Sequence, residues 1–385
     1  MILEFAAGFL AGFLGLVAFL HVNFILQALS TLIPAGFSKA VFSSSLSFSK
    51  IVFELIPTLF FVIPSTSFGA AVLPGQKLFL EGKGIVALKT ILASFFYSML
   101  LCVLFLPIVF VLLPVFFAVV SPVAGFALAA VTAIALFSKR TLPQTVFSFV
   151  LSGVLGVVVL SKPLVHEPLF PLLSGLFGIP ALLFSLDAQK PSVQEDSSKT
   201  QVDLKMILAG VLLGGFSSVL PALSPVFIVS FLFFALEPLG ENAFLQAGAS
   251  TLVSKTFFDF AAFTAIGKAR AGAVAFAAGE LSSVEGLLPV LAAGAASLFL
   301  AIAVLLFSYR FFSKLSSFHS KNLMLAVVSF IVLASFFSNG PLGVFILGVS
   351  ASVGIVIGGL GVRKTSALGA LIVPSLFYYF GLSLY

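Results

Sequence analysis

Two charged pairs stand out in a chain that carries few charges. Lys50 and Glu54 lie four residues apart, as do Lys255 and Asp259, each inside a segment that is otherwise apolar. On a helix, that spacing puts the lysine and its carboxylate on one face, where they can neutralise each other. A structural ion pair has the same spacing, but charges inside a membrane are expensive and mark ion or substrate pathways. Lys50 and Lys255 are therefore candidates to face an anionic substrate. Glu54 and Asp259 are candidates for their ion-pair partners or for ligands of a coupling cation. The neighbouring residues repeat as well: Ser49-Lys50-x-x-Phe53-Glu54 recurs as Ser254-Lys255-x-x-Phe258-Asp259, every residue displaced by 205 positions.

A second feature is a polar interruption near the start of each half. In the first, Gly12 and Gly15 precede His21-Val-Asn23; in the second, Gly214-Gly215-Phe-Ser217-Ser218 leads to Pro221-Ala-Leu-Ser224-Pro225. Backbone groups freed by a broken helix cost several kcal/mol in hydrocarbon, on the order of a lost hydrogen bond each, so such breaks survive where protein or a wet cavity surrounds them. Paired breaks are where inverted transporters hold substrate, with helix N-termini and side-chain donors aimed at an anion. This makes His21, Asn23, Ser217, Ser218, Ser224 and Ser254 candidate substrate-binding residues, and Gly12, Gly15, Gly214, Gly215, Pro221 and Pro225 candidate helix-break positions. The alternative is kinked helices around a satisfied core histidine.

The elements that must position these residues are membrane helices. Of 385 residues, 61% are hydrophobic and 8% charged, with a mean hydropathy of +1.26. That is the composition of a polytopic chain whose solvent is the bilayer. At about 20 residues per crossing, the length allows roughly 10–14 transmembrane segments, some broken or re-entrant. The net charge of +6 sits in short loops, where it orients the chain and contacts lipid headgroups; no aromatic-interleaved basic stripe for nucleic acid is present. The only cysteine, Cys102, lies in an apolar run, so intrachain disulfides and cysteine metal sites are excluded. Walker, HExxH and GxSxG motifs are absent too, which argues against ATP drive, a metal site and an enzyme. No cofactor is expected; Na⁺ or H⁺ coupling is open. The start, Met1-Ile-Leu-Glu4, has no basic n-region, as expected of a retained first segment.

Apolar segments fall at 2–33, 50–66, 86–113, 114–137, 142–161 and 168–186, and recur in the same order at 206–236, 243–267, 286–309, 322–338, 340–362 and 365–385. Residues 187–205 (DAQKPSVQEDSSKTQVDLK) have the composition of a solvated linker. The expected organisation is a first transmembrane repeat at 1–186, a hydrophilic linker at 187–205 and a second repeat at 206–385. Gly12 aligns with Gly215 and His21 with Ser224, 203 positions on; Pro180-Ala-Leu-Leu-Phe184 aligns with Pro374-Ser-Leu-Phe-Tyr378, 194 positions on.

Loop charge fixes the expected hand of the repeat. Leu113-Pro114 is uncharged, whereas its counterpart carries Arg310, Lys314, His319 and Lys321; one segment later Lys139 and Arg140 face an uncharged Ser338-Asn339-Gly340. Under the positive-inside rule, equivalent loops lie on opposite sides, so the topology is inverted. The linker, the Lys77–Lys89 loop and Arg363-Lys364 are then cytoplasmic and both termini outside. Lys268 and Arg270 fall outside against the rule.

The sequence resembles the large membrane subunit of the tripartite tricarboxylate transporters (TctA-type), particularly the shorter archaeal branch. The resemblance spans nearly the whole chain. It rests on LHVN at Leu20–Asn23, LPGQKLFLEGKG at Leu73–Gly84, VLPALSP at Val219–Pro225 and GVRKTSALGALIVP at Gly361–Pro374. Where the family usually has Pro-Gly within its breaks, this chain has Ala18-Phe19 and Pro221-Ala222. The resemblance implies ion-coupled carboxylate uptake at a plasma membrane, with a small membrane subunit and an extracytoplasmic binding protein as partners. A homo-oligomer is compatible with it. The expected function is secondary transport of a small organic anion, a di- or tricarboxylate, by alternating access at a midplane site between the repeats. The alternative is translocation of an anionic lipid such as a polyprenyl phosphate, which could use the same lysines.

Overall fold

The computed structural model describes residues 1–17, 20–60, 67–68, 73–137, 142–160, 165, 168–185, 194, 196, 202–219, 240–315, 321–362 and 364–382. Among these residues the chain is helical without strands. The first half contributes α1 (Ile2–Ala11), continued by a 3₁₀ turn (Gly12–Leu16), then α2 (Val22–Ser30), α3 (Lys39–Phe53) with a π-helical turn after it (Ile56–Phe60), α4 (Leu73–Leu80), α5 (Gly84–Val120), α6 (Ala124–Phe137), α7 (Leu142–Leu160), and α8 (Leu169–Leu173) joined through a π turn (Ser174–Gly178) to α9 (Ile179–Ser185). The second half contributes α10 (Leu204–Val219), α11 (Glu241–Ile266), α12 (Gly272–Ala277), α13 (Val284–Leu315), α14 (Lys321–Gly359) and α15 (Gly369–Tyr379).

Among the described residues, five helical stretches are long and apolar enough to cross a membrane: Lys39–Phe60, Gly84–Ile134, Leu142–Leu160, Val284–Lys314 and Val328–Gly359. The helix containing Lys50 starts earlier than the apolar run at 50–66 suggests. Its serines (43, 44, 45, 47 and 49) look polar in sequence yet are buried in protein. Ser43, Ser47 and Ser49 donate back to carbonyls of their own helix at 2.6–3.2 Å, which satisfies the hydroxyls without water. The boundary expected at Leu113-Pro114 is absent. Helix α5 continues through Pro107 and Pro114 to Val120, because a transmembrane helix tolerates proline where its surroundings satisfy the freed backbone groups. The boundary expected at Ser338-Asn339-Gly340 is present as a kink inside α14, where Gly340 adopts φ 65°, ψ −162° ahead of Pro341.

The chain divides into two compact units. One comprises Met1–Val119, Gln189–Val229 and Leu236–Phe318; the other comprises Val120–Ala188, Ser230–Ala235 and His319–Tyr385. Each unit thus takes elements from both halves of the sequence.

In the first unit, α1 lies along α3 so closely that a Cβ on Gly8 would press on Phe42 O and Ser45, and one on Gly12 would overlap Ser49 Oγ. Helix α10 lies along α11 in the same way: Gly210 meets Ala247 O and Ser250, and Gly214 meets Ser254 Oγ and Lys255 N. Small residues at such crossings let backbones approach and gain dispersion contact, the usual basis of helix association in a bilayer. Gly214 thus meets Ser254 as Gly12 meets Ser49, whereas Gly215 faces the Phe258 ring. Helix α3 begins where α13 begins: Ser38 Oγ and Lys39 N donate to Glu280. The two then run in parallel, with Ser44 Oγ donating to Val290 O at 2.8 Å and Ser297 Oγ to Ser45 O at 2.7 Å. Helix α11 runs the other way, since its first turn meets α4 through Glu241–Lys77, and Gly75 of α4 meets both Leu59 and Leu245.

The linker is anchored on this unit. Gln194 accepts from Gly84 N at 2.8 Å and donates to Phe79 O at 2.9 Å. Asp196 accepts from Lys89 at 2.6 Å, Tyr309 at 3.0 Å and Arg310 at 3.1 Å. The start of α5 and the end of α13 therefore lie at one end of the unit, and these two helices are antiparallel.

In the second unit, Gly156 of α7 meets Ala370 O, and Gly369 meets Phe149 O and Ser152 Oγ. The matching contacts are Gly354 of α14 on Leu176 O, and Gly175 on Leu347 O and Ser350. Gly175 and Gly369 are 194 positions apart, the displacement already seen between Pro180 and Pro374.

Candidate functional site

The break in the first apolar stretch has a defined shape. Helix α1 tightens into the 3₁₀ turn at Gly12–Leu16, and Val17 leaves helical geometry (φ −100°, ψ 81°). The helix restarts after His21, whose extended backbone (φ −72°, ψ 146°) and Nδ1, accepting from Asn23 N at 3.2 Å, cap α2. An acceptor Nδ1 is unprotonated, so the capping histidine presents its other ring nitrogen outward from the cap. The positive end of the α2 dipole is at His21. The Asn23 side chain lies directly against Gly272 at the start of α12.

Lys50 and Glu54 are fully buried and bonded to each other at 2.5 Å. Ser67 completes the group. Its hydroxyl donates to Glu54 Oε2 at 2.7 Å, lies 3.3 Å from Lys50 Nζ, and its backbone N–H donates to Glu54 Oε1 at 3.4 Å. Thr58 Oγ1 donates to the Glu54 carbonyl at 2.6 Å, at the entry to the π turn that contains Pro57. Such turns relax the regular bond ladder and occur often at functional sites. Gly15 packs against the backbone of Lys50 and Glu54, and both charges lie within electrostatic reach of His21. His21, Gly15, Lys50 and Glu54 are thus brought together.

Lys255 donates to both oxygens of Asp259, at 2.8 and 2.6 Å, and both residues are buried. Arg270, in the turn after α11, acts electrostatically on Asp259 and its guanidinium carbon lies over the Phe117 ring, 5.6 Å from its centroid.

The serine candidates have local roles here. Ser217 Oγ donates to Gly214 O at 2.8 Å and Ser218 Oγ to Gly215 O at 2.7 Å, each within α10. Ser254 Oγ donates to Ser250 O at 2.7 Å and lies 3.2 Å from Gly210 O, at the crossing with α10. Gly214 and Gly215 sit inside α10 and do not break it; they serve as its contact face, because a glycine within an otherwise good helix is held in line by the packed neighbour. Pro221, Ser224 and Pro225 lie outside the described residues.

Two site residues escaped sequence reasoning. Ser67 follows a masking apolar run, and its only signal is the hydroxyl cluster Ser65-Thr66-Ser67. Arg270 signalled itself by breaking the positive-inside pattern. The chemistry available is that of buried cations, each held against a carboxylate, beside a capped helix N-terminus. It suits recognition of an anion and the exchange of one countercharge for another.

No curated protein and no solved structure matches the chain. The sequence model of the tripartite tricarboxylate transporter TctA family matches residues 2–369, nearly the full length. With its helices apolar and long enough to span a bilayer, this multi-pass membrane chain belongs to the tripartite tricarboxylate transporter TctA family.

Proposed function

We propose that the chain is the translocating subunit of an ion-coupled transporter for a small organic anion, a di- or tricarboxylate. The observation that carries this reading is the recurrence of one buried lysine–carboxylate pair at equivalent positions of the two halves, Lys50–Glu54 and Lys255–Asp259. Each pair sits beside a glycine crossing of the same kind, Gly12 on Ser49 and Gly214 on Ser254. These matched contacts, and the opposite directions of α3 and α11, support two inverted repeats at 1–186 and 206–385 joined by the 187–205 linker.

The pairs supply a route to coupling. An isolated charge in a dry interior is far costlier than a paired one. A substrate carboxylate that binds Lys50 takes that lysine's charge away from Glu54. Glu54 must then be neutralised by Na⁺ or H⁺, with Ser67 Oγ as a further oxygen ligand of the ion or the hydrogen-bond acceptor of the protonated carboxyl. Asp259 stands in the same relation to Lys255. Anion and cation thus enter together, and neither is stable in the site without the other. Lys50 is fully buried, so substrate access requires the protein to open and close around the pair, which is alternating access. The His21 cap of α2 and Asn23 add a helix N-terminus and polar side chains to the same region.

The orientation that fits is a cytoplasmic linker with both termini outside. The linker end of the first unit gathers Lys77, Lys89 and Arg310, as positive-inside distribution requires. Membership of a tripartite family makes a small membrane subunit and an extracytoplasmic binding protein the natural partners.

The test is uptake of radiolabelled citrate and succinate into proteoliposomes under an imposed Na⁺ or H⁺ gradient. Gradient-driven accumulation that Lys50→Ala or Lys255→Ala abolishes is the expected result. Reconstituted, folded protein that accumulates neither compound under either gradient would sink the proposal. Protein-dependent shielding of a polyprenyl phosphate headgroup from added phosphatase would replace it with lipid translocation.

A further inference from the structure

Two cations, Lys268 and Arg270, follow α11 at the end of the first unit opposite the linker, where the proposed orientation calls for few positive charges. They behave differently. Lys268 is exposed, whereas Arg270 is only partly so, and its Nε is shut off from solvent. Helix α11 stops at Ile266 with Gly267 in the left-handed conformation (φ 67°). That cap turns the chain back on itself, so a side chain three residues later can point down along the helix it has just left.

Asp259 lies seven residues before the end of α11, about 10 Å along the axis at 1.5 Å per residue. An extended arginine bridges much of that distance, and Arg270 acts electrostatically on Asp259. Its guanidinium lies over the face of Phe117 from the far part of α5. A guanidinium over a ring face gains cation–π attraction, which restrains where its fork of donors sits. Two residues on, Gly272 carries the Asn23 side chain from the α2 break. Arg270 therefore lies near the Lys255–Asp259 pair at the end of α11 opposite the linker, two residues before the glycine that meets Asn23.

We infer that Arg270 is a specificity-determining residue: its fork receives one carboxylate of the substrate while Lys255 receives another. The inference rests on the carboxylate-transport reading of the same site. An arginine fork binds a carboxylate through two parallel hydrogen bonds, which a lysine cannot do. Two cations at separated depths reward an anion that carries two or more carboxylates on a short skeleton and gain nothing extra from a monocarboxylate. The topological anomaly has a cause on this view. Arg270 is placed for the ligand and Lys268 is merely exposed.

The test is binding to the full chain in lipid nanodiscs, by calorimetry with citrate, succinate and butyrate, for the wild type, Arg270→Gln, Arg270→Lys and Lys268→Gln. The wild type is expected to prefer citrate and succinate to butyrate. Arg270→Gln is expected to weaken both by about ten- to a hundred-fold, the loss of one charge-assisted bidentate contact, and to leave butyrate unchanged. Arg270→Lys, which keeps the charge and loses the fork, is expected to fall between; should Arg270→Gln fail to fold, this variant carries the test. Lys268→Gln is expected to bind as wild type. Citrate binding undiminished in a folded Arg270 variant, or an equal loss in Lys268→Gln, overturns the assignment of Arg270 and leaves the transport reading standing. A wild-type chain that binds none of the three overturns both.

Discussion

Gly214 packs onto Ser254 so closely that a single methyl group on the glycine would occupy the position of the serine hydroxyl. Gly12 stands in the same relation to Ser49. Each of these serines immediately precedes a buried lysine, so the crossings fix the backbone from which Lys50 and Lys255 project.

Alanine at these crossings is expected to be destabilising. Gly12→Ala and Gly214→Ala each force the helix pair apart, at a cost of about 1–3 kcal/mol from overpacking, against the fraction of a kcal/mol that alanine returns in helix propensity. Gly215→Ala meets only the Phe258 ring at ordinary contact distance, 3.4 Å, and is expected to be neutral or slightly stabilising. Thermal unfolding of the three variants in one detergent checks the order. Equal effects at Gly214 and Gly215 would contradict the register described here.

Breaking the Lys50–Glu54 pair from one side is expected to destabilise the protein by about 3–5 kcal/mol, since the remaining charge is left buried without its partner. Replacing both residues by Leu is expected to recover much of that loss while abolishing transport. A double-mutant cycle on unfolding midpoints, run beside uptake measurements, separates the structural role from the functional one. Single variants with wild-type stability would show that the charges are not held in a dry interior.

Ser67→Ala removes one hydrogen bond from the Glu54 carboxylate, worth about 1.5–3 kcal/mol for a bond to a charged group. The expected outcome is a shift in the cation dependence of uptake with the substrate half-saturation concentration little changed. A change in substrate affinity alone would move Ser67 from the cation side to the anion side of the mechanism.

The linker contact is expected to be pH-dependent. Hydrogen bonds from Lys89, and then from Tyr309 and Arg310, hold the Asp196 carboxyl below its usual 3.8. A carboxyl lowered on docking favours the docked state at every pH above its undocked value, and the preference fades as pH falls through the lowered value. Asp196→Asn is therefore expected to release the linker at neutral pH, whereas the wild type releases it only in strong acid. Hydrogen exchange at Gly84, whose N–H is held by Gln194, reports the release. Protection that is identical in the variant at neutral pH would rule out Asp196 as the anchor.

Gly340→Ala places a side chain at φ 65°. The expected penalty is about 1–3 kcal/mol, from the positive-φ, extended-ψ backbone that suits glycine alone, because nothing crowds that position. A substitution at Gly348, helical and equally uncrowded, provides the comparison; thermal unfolding of Gly340→Ala at or above that of Gly348→Ala would refute the kink.

The sequence by itself determined several features that depend on short range. The bilayer as solvent follows from composition. The pairing of Lys50 with Glu54 and of Lys255 with Asp259 follows from a spacing of four, because helical geometry alone brings such residues together. The kink at Gly340 was legible from Asn339-Gly340-Pro341, residues whose own backbone preferences interrupt a helix. The correspondence at Ser49 and Ser254 was legible because charges are so scarce that their recurrence stands out.

Tertiary structure decided what depends on contact between distant elements. Which of two adjacent glycines packs on Ser254 is decided by the crossing of α10 with α11, and neighbouring glycines are identical until a second helix touches one of them. Pro114 reads as a boundary in sequence and becomes part of α5, because the environment of a proline determines whether its missing donor ends the helix. The serines of α3 look too polar for the bilayer and become interior once α1 and α13 cover them. Ser67, Arg270 and Asp196 acquire their roles only from partners 11 to 153 positions away, a separation at which only the packed fold can bring side chains together.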